Sequence, residues 1–329
     1  QRQMCIRDSM DTMRPIYEKA VADAKAADTP EKRRGVGIAW GGFNVTEGGG
    51  DSAEVALELM PGNKIRKYDT WHAMGQGATT GSLVVTLEAL KEMHLTPEDI
   101  QLIQNDTKTC PDTGMAGASR SLYMDGNATI IAANKLLAAM RKEDGTLRTY
   151  DEMKAEGIET KYLGRYETNT TPGLCRLDPN TGIGDPTPAF TYCLNLAEVE
   201  VDTKTGKTTV LKFTCVDFVG RIGNIDAVNG QAYSGIMHGI GFALKEDYAD
   251  VKKHANMFGA GTSYIKDVPD DIDLIHIDGA ISDGPFGSSG ASEAFQASGH
   301  CAVLNGIYNA CGVRIHEIPA LPELSLIHI

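Results

Sequence analysis

The chain has 329 residues, with 44 acidic against 31 basic side chains and a formal charge of −13. That acidity argues against nucleic acid or an anionic membrane as partner, and no apolar run reaches the roughly 20 residues that a membrane span needs. The cysteines form no CxxC pair and the histidines show no metal-ligand spacing. This excludes structural zinc or an iron–sulfur cluster on this chain and fits reduced, mostly buried thiols of a cytoplasmic protein.

The two ends do not read as native protein. Residues 4–9 back-translate to ATG TGT ATA AGA GAC AG and residues 324–329 to CTG TCT CTT ATA CAC ATC. Each is the reverse complement of the other where they overlap. Residues 1–9 and 324–329 are therefore read as flanking sequencing adapter, and residues 10–323 as a piece of a larger protein. Cys5 falls in the adapter, which leaves six native cysteines. A metal, if one is used, arrives with an organic cofactor.

Residues 10–27, charged and alanine-rich, predict a helix. Residues 34–45, 52–59 and 64–71 predict strands, with Gly48 to Gly50 as the first turn. After the loop His72-Ala-Met-Gly-Gln-Gly-Ala-Thr-Thr-Gly-Ser82, Leu83, Leu87 and Leu90 recur at helical spacing. Thr96-Pro97-Glu98-Asp99 is a helix start with proline at its first position, and 100–105 is a short strand. A second loop, Pro111-Asp-Thr-Gly-Met-Ala-Gly-Ala-Ser-Arg-Ser121, opens a long helix through Ile130, Leu136 and Met140. Residues 142–167 are charged and hold short connecting elements, and 168–188, rich in Thr, Pro and Gly, is a linker or covering loop.

A new lobe starts near Ala189. Residues 192–201 and 208–217 are strands joined by a turn at 202–207. Gly206-Lys207-Thr208 resembles the end of a P-loop, but it lacks the motif's first glycine and sits in a hairpin. Residues 228–244 predict a glycine-studded buried helix. In the last helix, 299–312, the stripe of Ala297, Cys301, Leu304, Tyr308 and Cys311 predicts its core face. Strand pairs followed by helices, twice over, predict an α+β fold with two lobes, 10–188 and 189–323. Gly239-Ile-Gly241 lies inside a helix, which speaks against a dinucleotide fingerprint.

Four glycine-rich segments touch helix starts: 75–81, 114–121, 220–235 and 284–293. Glycine lets backbone N–H groups approach a ligand closely, and helix N-termini favour anions. Together they suggest a long polyanionic ligand cradled by several helix starts. Each residue keeps a simpler alternative. Gln76 reads a ligand edge or is a polar turn residue. Arg120 neutralises phosphate or pairs with a carboxylate. Ser119 and Ser121 donate to a ligand or cap their helix. Glu293 is a base aimed into a site or a first-turn acid favoured by the helix dipole.

Taken in order, these segments resemble the molybdenum hydroxylase family of xanthine dehydrogenases and aldehyde oxidoreductases, in its C-terminal molybdenum-cofactor-binding domain. The residues that carry the resemblance are His72-Ala-Met-Gly-Gln-Gly77, Pro111 to Arg120, Asp217 to Gly220, Gly230-Gln231, Gly235, His238-Gly-Ile-Gly241 and Gly284-Pro-Phe-Gly-Ser-Ser-Gly-Ala-Ser-Glu293. The last loop looks closest to bacterial aldehyde oxidoreductases. The resemblance implies that Glu293 is the catalytic base, taking a proton from a molybdenum-bound hydroxyl or water as that oxygen attacks the substrate carbon and hydride passes to a sulfido ligand.

It further implies that Gly75, Gln76 and Gly77 lie against the pterin. Gly117, Ala118, Ser119 and Arg120 would follow the phosphates of a molybdopterin cytosine dinucleotide, with Ala291 and Ser292 offering backbone donors. Molybdenum would be held by the pterin dithiolene, with no protein ligand. The substrate implied is an aldehyde, or alternatively a purine or other N-heterocycle; a non-catalytic nucleotide-binding module is the reading from another class. The first molybdenum domain, the iron–sulfur clusters and any FAD would belong to other domains or subunits of a parent expected to be a homodimer, and this piece alone would be inactive.

Overall fold

The computed structural model describes residues 2–46, 51–168, 178, 180–184 and 187–326. The expected turn at 48–50 and most of the covering loop at 168–188, with Cys175, lie outside the described residues. The fold is α+β, built on two four-stranded mixed sheets with packed helices.

The first sheet has the order β1 (Lys32–Val45), β6 (Ala189–Asp202), β7 (Thr208–Phe218), β8 (Asp271–His276). Its first three strands are antiparallel and β8 runs parallel to β7. Period-2 alternation sorts the β6 side chains. Leu194 and Leu196 pack with Met13, Ala20 and Ala24 of helix α1 (Arg2–Ala27), while Cys193, Ala197 and Val199 join the cluster that holds Ile236, Ile240, Val303 and Ile307. The latter come from α5 (Ile225–Leu244) and α7 (Gly299–Cys311). Residues 2–9 continue the helix expected over 10–27.

The second sheet has the order β4 (Ile100–Gln104), β3 (Lys64–Asp69), β2 (Ser52–Met60), β5 (Lys161–Glu167). Helix α3 (Arg120–Met140) covers it, packing Ala132, Leu136 and Met140 against Leu57, Leu59 and Ile65. Helix α2 (Ala78–Ala89) lies beside α3. The expected helix at Thr96 is one 3-10 turn, Pro97–Asp99, ending directly in β4. The short helix α4 (Tyr150–Ala155) and β5 are the connecting elements of the charged segment.

The sheets do not divide at residue 188. Strand β1 pairs with β6 over its whole length, from Lys32↔Asp202 to Val45↔Ala189. Strand β1, from the N-terminal segment, is thus the edge strand of the sheet that holds β6, β7 and β8. A cluster of Val45, Val55, Tyr123, Met124, Phe218 and Ile281 joins the two sheets.

The expected core stripe of α7 is corrected. Leu304 and Cys311 do pack against the core cluster, but Cys301 is exposed, Tyr308 is 45% exposed, and the buried face is Ala302, Val303, Gly306, Ile307 and Ala310. The reason is a close crossing on β1. A Cβ on Gly35 or Gly37 would fall 2.3 and 2.0 Å from backbone oxygens of Gly306 and Ala302, so the helix turns its small residues to the sheet. Of Cys110, Cys193, Cys215, Cys301 and Cys311, Cys193 and Cys215 are buried.

Candidate functional site

Four helix starts open onto one cavity of about 450 Å³ between the two sheets' helices. They are the starts of α2 at Gly77, α3 at Ser119, α5 at Asn224, and the five-residue α6 (Ser292–Gln296) at Ala291. A helix start leaves its first N–H groups without intrahelical partners. At α5 the Asn224 side chain accepts from Ala227 N at 3.0 Å. The starts of α2, α3 and α6 have no side-chain cap, so their donors are not satisfied in that way.

Of the residues singled out from sequence, Gln76, Gly77, Gly117, Ser119, Arg120, Ser121, Ala291, Ser292 and Glu293 line this cavity. Gly75 and Ala118 do not. Gly75 (φ 101) turns the loop beside Gln76, and the Ala118 carbonyl accepts from Thr46 N at 3.0 Å. Ala118 and Ser119 are consecutive left-handed residues with φ of 49 and 51, a conformation uncommon without glycine and tolerated where surrounding structure imposes it. The Gln76 amide braces its own loop, donating to His72 O at 2.7 Å and accepting from Met74 N.

Glu293 is half-buried and is gripped by Ser119. The Ser119 N–H donates to Glu293 Oε1 at 3.2 Å, and the Ser119 hydroxyl donates to Oε2. The hydroxyl that could have capped α3 instead orients this carboxylate. The grip depends on Gly290: a Cβ there would lie 1.9 Å from the Ser119 carbonyl oxygen. The glycine thus lets the 288–293 loop lie directly on the 117–120 loop.

Arg120 takes the simpler of its two alternatives. Its side chain is 2% exposed. Nε and one Nη hold Asp51 in a fork at 2.7 and 2.8 Å, and the remaining N–H groups go to the carbonyls of Ser52, Thr113 and Met115. A guanidinium has five donors, and all five are engaged by protein. Arg120 ties the start of β2 to the loop before α3 and has no donor left for a phosphate.

Several residues that sequence reasoning passed over belong to the site's surroundings. Arg221 lines the cavity, and its side chain makes no hydrogen bond or ion pair with any described residue. It stands one position beyond the Asp217 to Gly220 segment, which was the available signal. Ser289 also lines the cavity, 6% exposed, with its Oγ unpartnered among the described residues.

Beneath α2 and α3, fully buried Lys67 meets Asp125 at 2.7 Å and Asp69 at 3.2 Å. Asp69 also accepts from Ser82 and Gln104. Burial, with Asp69 adding to it, pushes the Asp125 carboxyl up to about 6 despite Lys67. The ammonium lies 5.7 Å from the ring of Trp71, a wall of the cavity. At the end of β7, buried Asp217 bonds His276 Nδ1 at 2.8 Å, and His276 Nε2 bonds Asn229 Oδ1 of α5 at 2.8 Å. Burial pushes Asp217 up although the imidazole opposes it, and Asp217 draws His276 up. No sequence signal brings Lys67 to Asp125 or Asp217 to His276, because each pair is far apart in the chain. The glycines of the 235–241 segment serve packing: Gly235 abuts Phe295, and Gly239 abuts Gly299.

The family model described as the molybdopterin cofactor-binding domain matches residues 13–269. An aldehyde oxidoreductase of Megalodesulfovibrio gigas is 40% identical over 316 residues, 96% of this chain and 34% of that protein. A probable hypoxanthine oxidase of Escherichia coli is 28% identical over 268 residues, 77% of this chain and 28% of that one. The crystal structure of the aldehyde oxidoreductase from Desulfovibrio desulfuricans superposes with a TM-score of 0.94 at 42% identity, covering 98% of this chain and 35% of that chain. The chain thus spans about a third of the length of these relatives.

Proposed function

The chain belongs to the molybdopterin cofactor-binding domain family of the molybdenum hydroxylases, and from that membership we propose that it is part of a molybdenum-dependent aldehyde oxidoreductase with Glu293 as its base. The observation that carries the reading is the convergence of the Glu293 carboxylate and four helix starts on one cavity. The parent enzyme takes an aldehyde and water to a carboxylic acid, releasing two electrons and two protons. The aldehyde reading is supported by 40% identity to an aldehyde oxidoreductase, against 28% to the probable hypoxanthine oxidase.

The residues present suit a pterin dinucleotide. Uncapped starts at α2 and α3 offer N–H donors to anionic oxygens. Ser289 Oγ is a buried hydroxyl with no hydrogen-bond partner among the described residues. A Cβ on Gly117 would meet nothing within 4 Å, so the backbone there leaves open space for a ligand. Gln76 and Gly77 face the pterin end, Gly117 follows the phosphates, and Ala291 and Ser292 add backbone donors. When bound, the cofactor supplies a two-electron acceptor and activates water.

Glu293 takes up the proton released as oxygen attacks the substrate carbon. Ser119 fixes which way the carboxylate faces, and positioning of this kind accounts for much of the effect of a general base. The nucleotide is a cytosine nucleotide. The rest of the cofactor site, the iron–sulfur clusters and any FAD lie in other parts of a homodimeric cytoplasmic parent, and residues 1–9 and 324–329 are adapter-derived.

The test is Glu293→Gln in the full-length parent. Loss of turnover with molybdenum content unchanged is expected, and unchanged turnover removes the base role. Assays against aldehydes and purines separate the two substrate classes; turnover of purines alone would overturn the aldehyde assignment.

A further inference from the structure

We propose that Arg221 and Ser289 together form the subsite that holds the anionic phosphate oxygens of the bound cofactor. This rests on the cofactor reading above and names the side chains that the reading leaves open. It also moves the phosphate role away from Arg120, where the sequence first suggests it.

Charge makes the case. The protein carries a formal −13, and the carboxylates of Glu88 and Glu293 line the cavity. A diphosphate entering such a site needs a cation. Two arginines line the cavity, Arg120 and Arg221. Arg120 is 2% exposed with every donor engaged. Arg221 is exposed and, among the described residues, has no side-chain partner. An uncommitted guanidinium presents a planar fork that matches two oxygens of a phosphate.

The backbone is built to hold it there. Gly220 and Ser288 form an isolated bridge, and Arg221 N donates to Gly287 O at 2.9 Å. Gly220 (φ 79) and Gly287 (φ 85) are both left-handed. A Cβ on Gly220 would fall 2.6 Å from Gly287 O, and one on Gly287 would fall 3.3 Å from Arg221 Cδ. The two segments therefore cross at glycines, and Arg221 and Ser289, one from each segment, both line the cavity. Ser289 is 6% exposed with its Oγ unpartnered among the described residues. A buried hydroxyl is normally hydrogen-bonded, and an anionic oxygen from the cavity would satisfy it. The start of α5 at Asn224, three residues after Arg221, adds its dipole to the same anion.

The experiment uses the full-length parent with Arg221→Ala, Arg221→Lys and Ser289→Ala. Molybdenum and acid-released nucleotide per polypeptide are measured after dialysis at high salt, with thermal melting to check the fold. The expected result is a fall of about tenfold in both ratios for Arg221→Ala, a smaller fall for Arg221→Lys and Ser289→Ala, and unchanged melting of the cofactor-free chains. Full retention of molybdenum and nucleotide in Arg221→Ala overturns the proposal. Full retention with a raised KM and weakened carboxylate inhibition also overturns it, assigning Arg221 to substrate instead. A wild-type parent without molybdenum overturns both this proposal and the function above, whereas a loaded wild type with a loaded variant overturns this one alone.

Discussion

Ser119 holds both carboxylate oxygens of Glu293, one through its backbone N–H at 3.2 Å and the other through its hydroxyl. The contact crosses 174 residues of sequence. It ties the start of α3 to the start of α6 and sets the direction of the Glu293 carboxylate in the cavity wall.

Ser119→Ala in the full-length parent removes the hydroxyl and leaves the N–H. Hydrogen bonds to charged groups contribute about 1.5–3 kcal/mol, so kcat should fall roughly tenfold or more while molybdenum content holds. Steady-state kinetics beside metal analysis checks this; an unchanged kcat would mean that the hydroxyl does not position the carboxylate.

Gly290→Ala and Gly117→Ala should behave oppositely. At Gly290 the new methyl would sit 1.9 Å from Ser119 O, whereas at Gly117 it meets nothing within 4 Å. The first change should cost about 1–3 kcal/mol of stability by forcing the loops apart. The second should leave stability within about 0.5 kcal/mol yet lower cofactor content by filling ligand space. Thermal melts and molybdenum analysis of the two variants decide it; equal melting temperatures would contradict the close loop crossing.

Arg120→Met should act on stability. It strands Asp51 and three carbonyls that now share five donors, and breaking a buried ion pair from one side costs about 3–5 kcal/mol. Denaturant unfolding of the cofactor-free chain measures it. A loss below about 1 kcal/mol would mean that the fork is not structural.

Asp125→Asn tests the buried triad through pH. Burial raises the Asp125 carboxyl from an ordinary 3.8 to about 6. The folded state then binds more protons than the unfolded state across that window, so stability is fullest below about pH 4 and is lost as pH rises through 6. The two-unit difference amounts to about 3 kcal/mol. Wild-type stability relative to Asp125→Asn should therefore fall by about that amount between pH 4 and 7, as read by chemical denaturation at each pH. A pH-independent difference would rule out titration of Asp125 in this range.

The chain by itself determined what is decided within a few residues. Periodicity marked α3 and α5 and the strands β1, β2, β6 and β7. Glycine and serine content marked the four loops, and the family resemblance carried by those loops pointed to Glu293. The tertiary structure alone decided what depends on residues far apart. Strand β1 joined β6 across the expected lobe boundary because an edge strand pairs with whatever partner completes its sheet. Strands β5 and β8, short and charged, had too little alternation to stand out. Helix α7 turned alanine and glycine to the sheet, against its larger stripe, since β1 carries glycines where the two backbones meet. The two arginines show the same limit most clearly. Sequence proximity to a loop cannot say whether a guanidinium is free; only the fold reveals that Arg120 is enclosed by Asp51 and three carbonyls while Arg221 lines the cavity with no side-chain partner among the described residues.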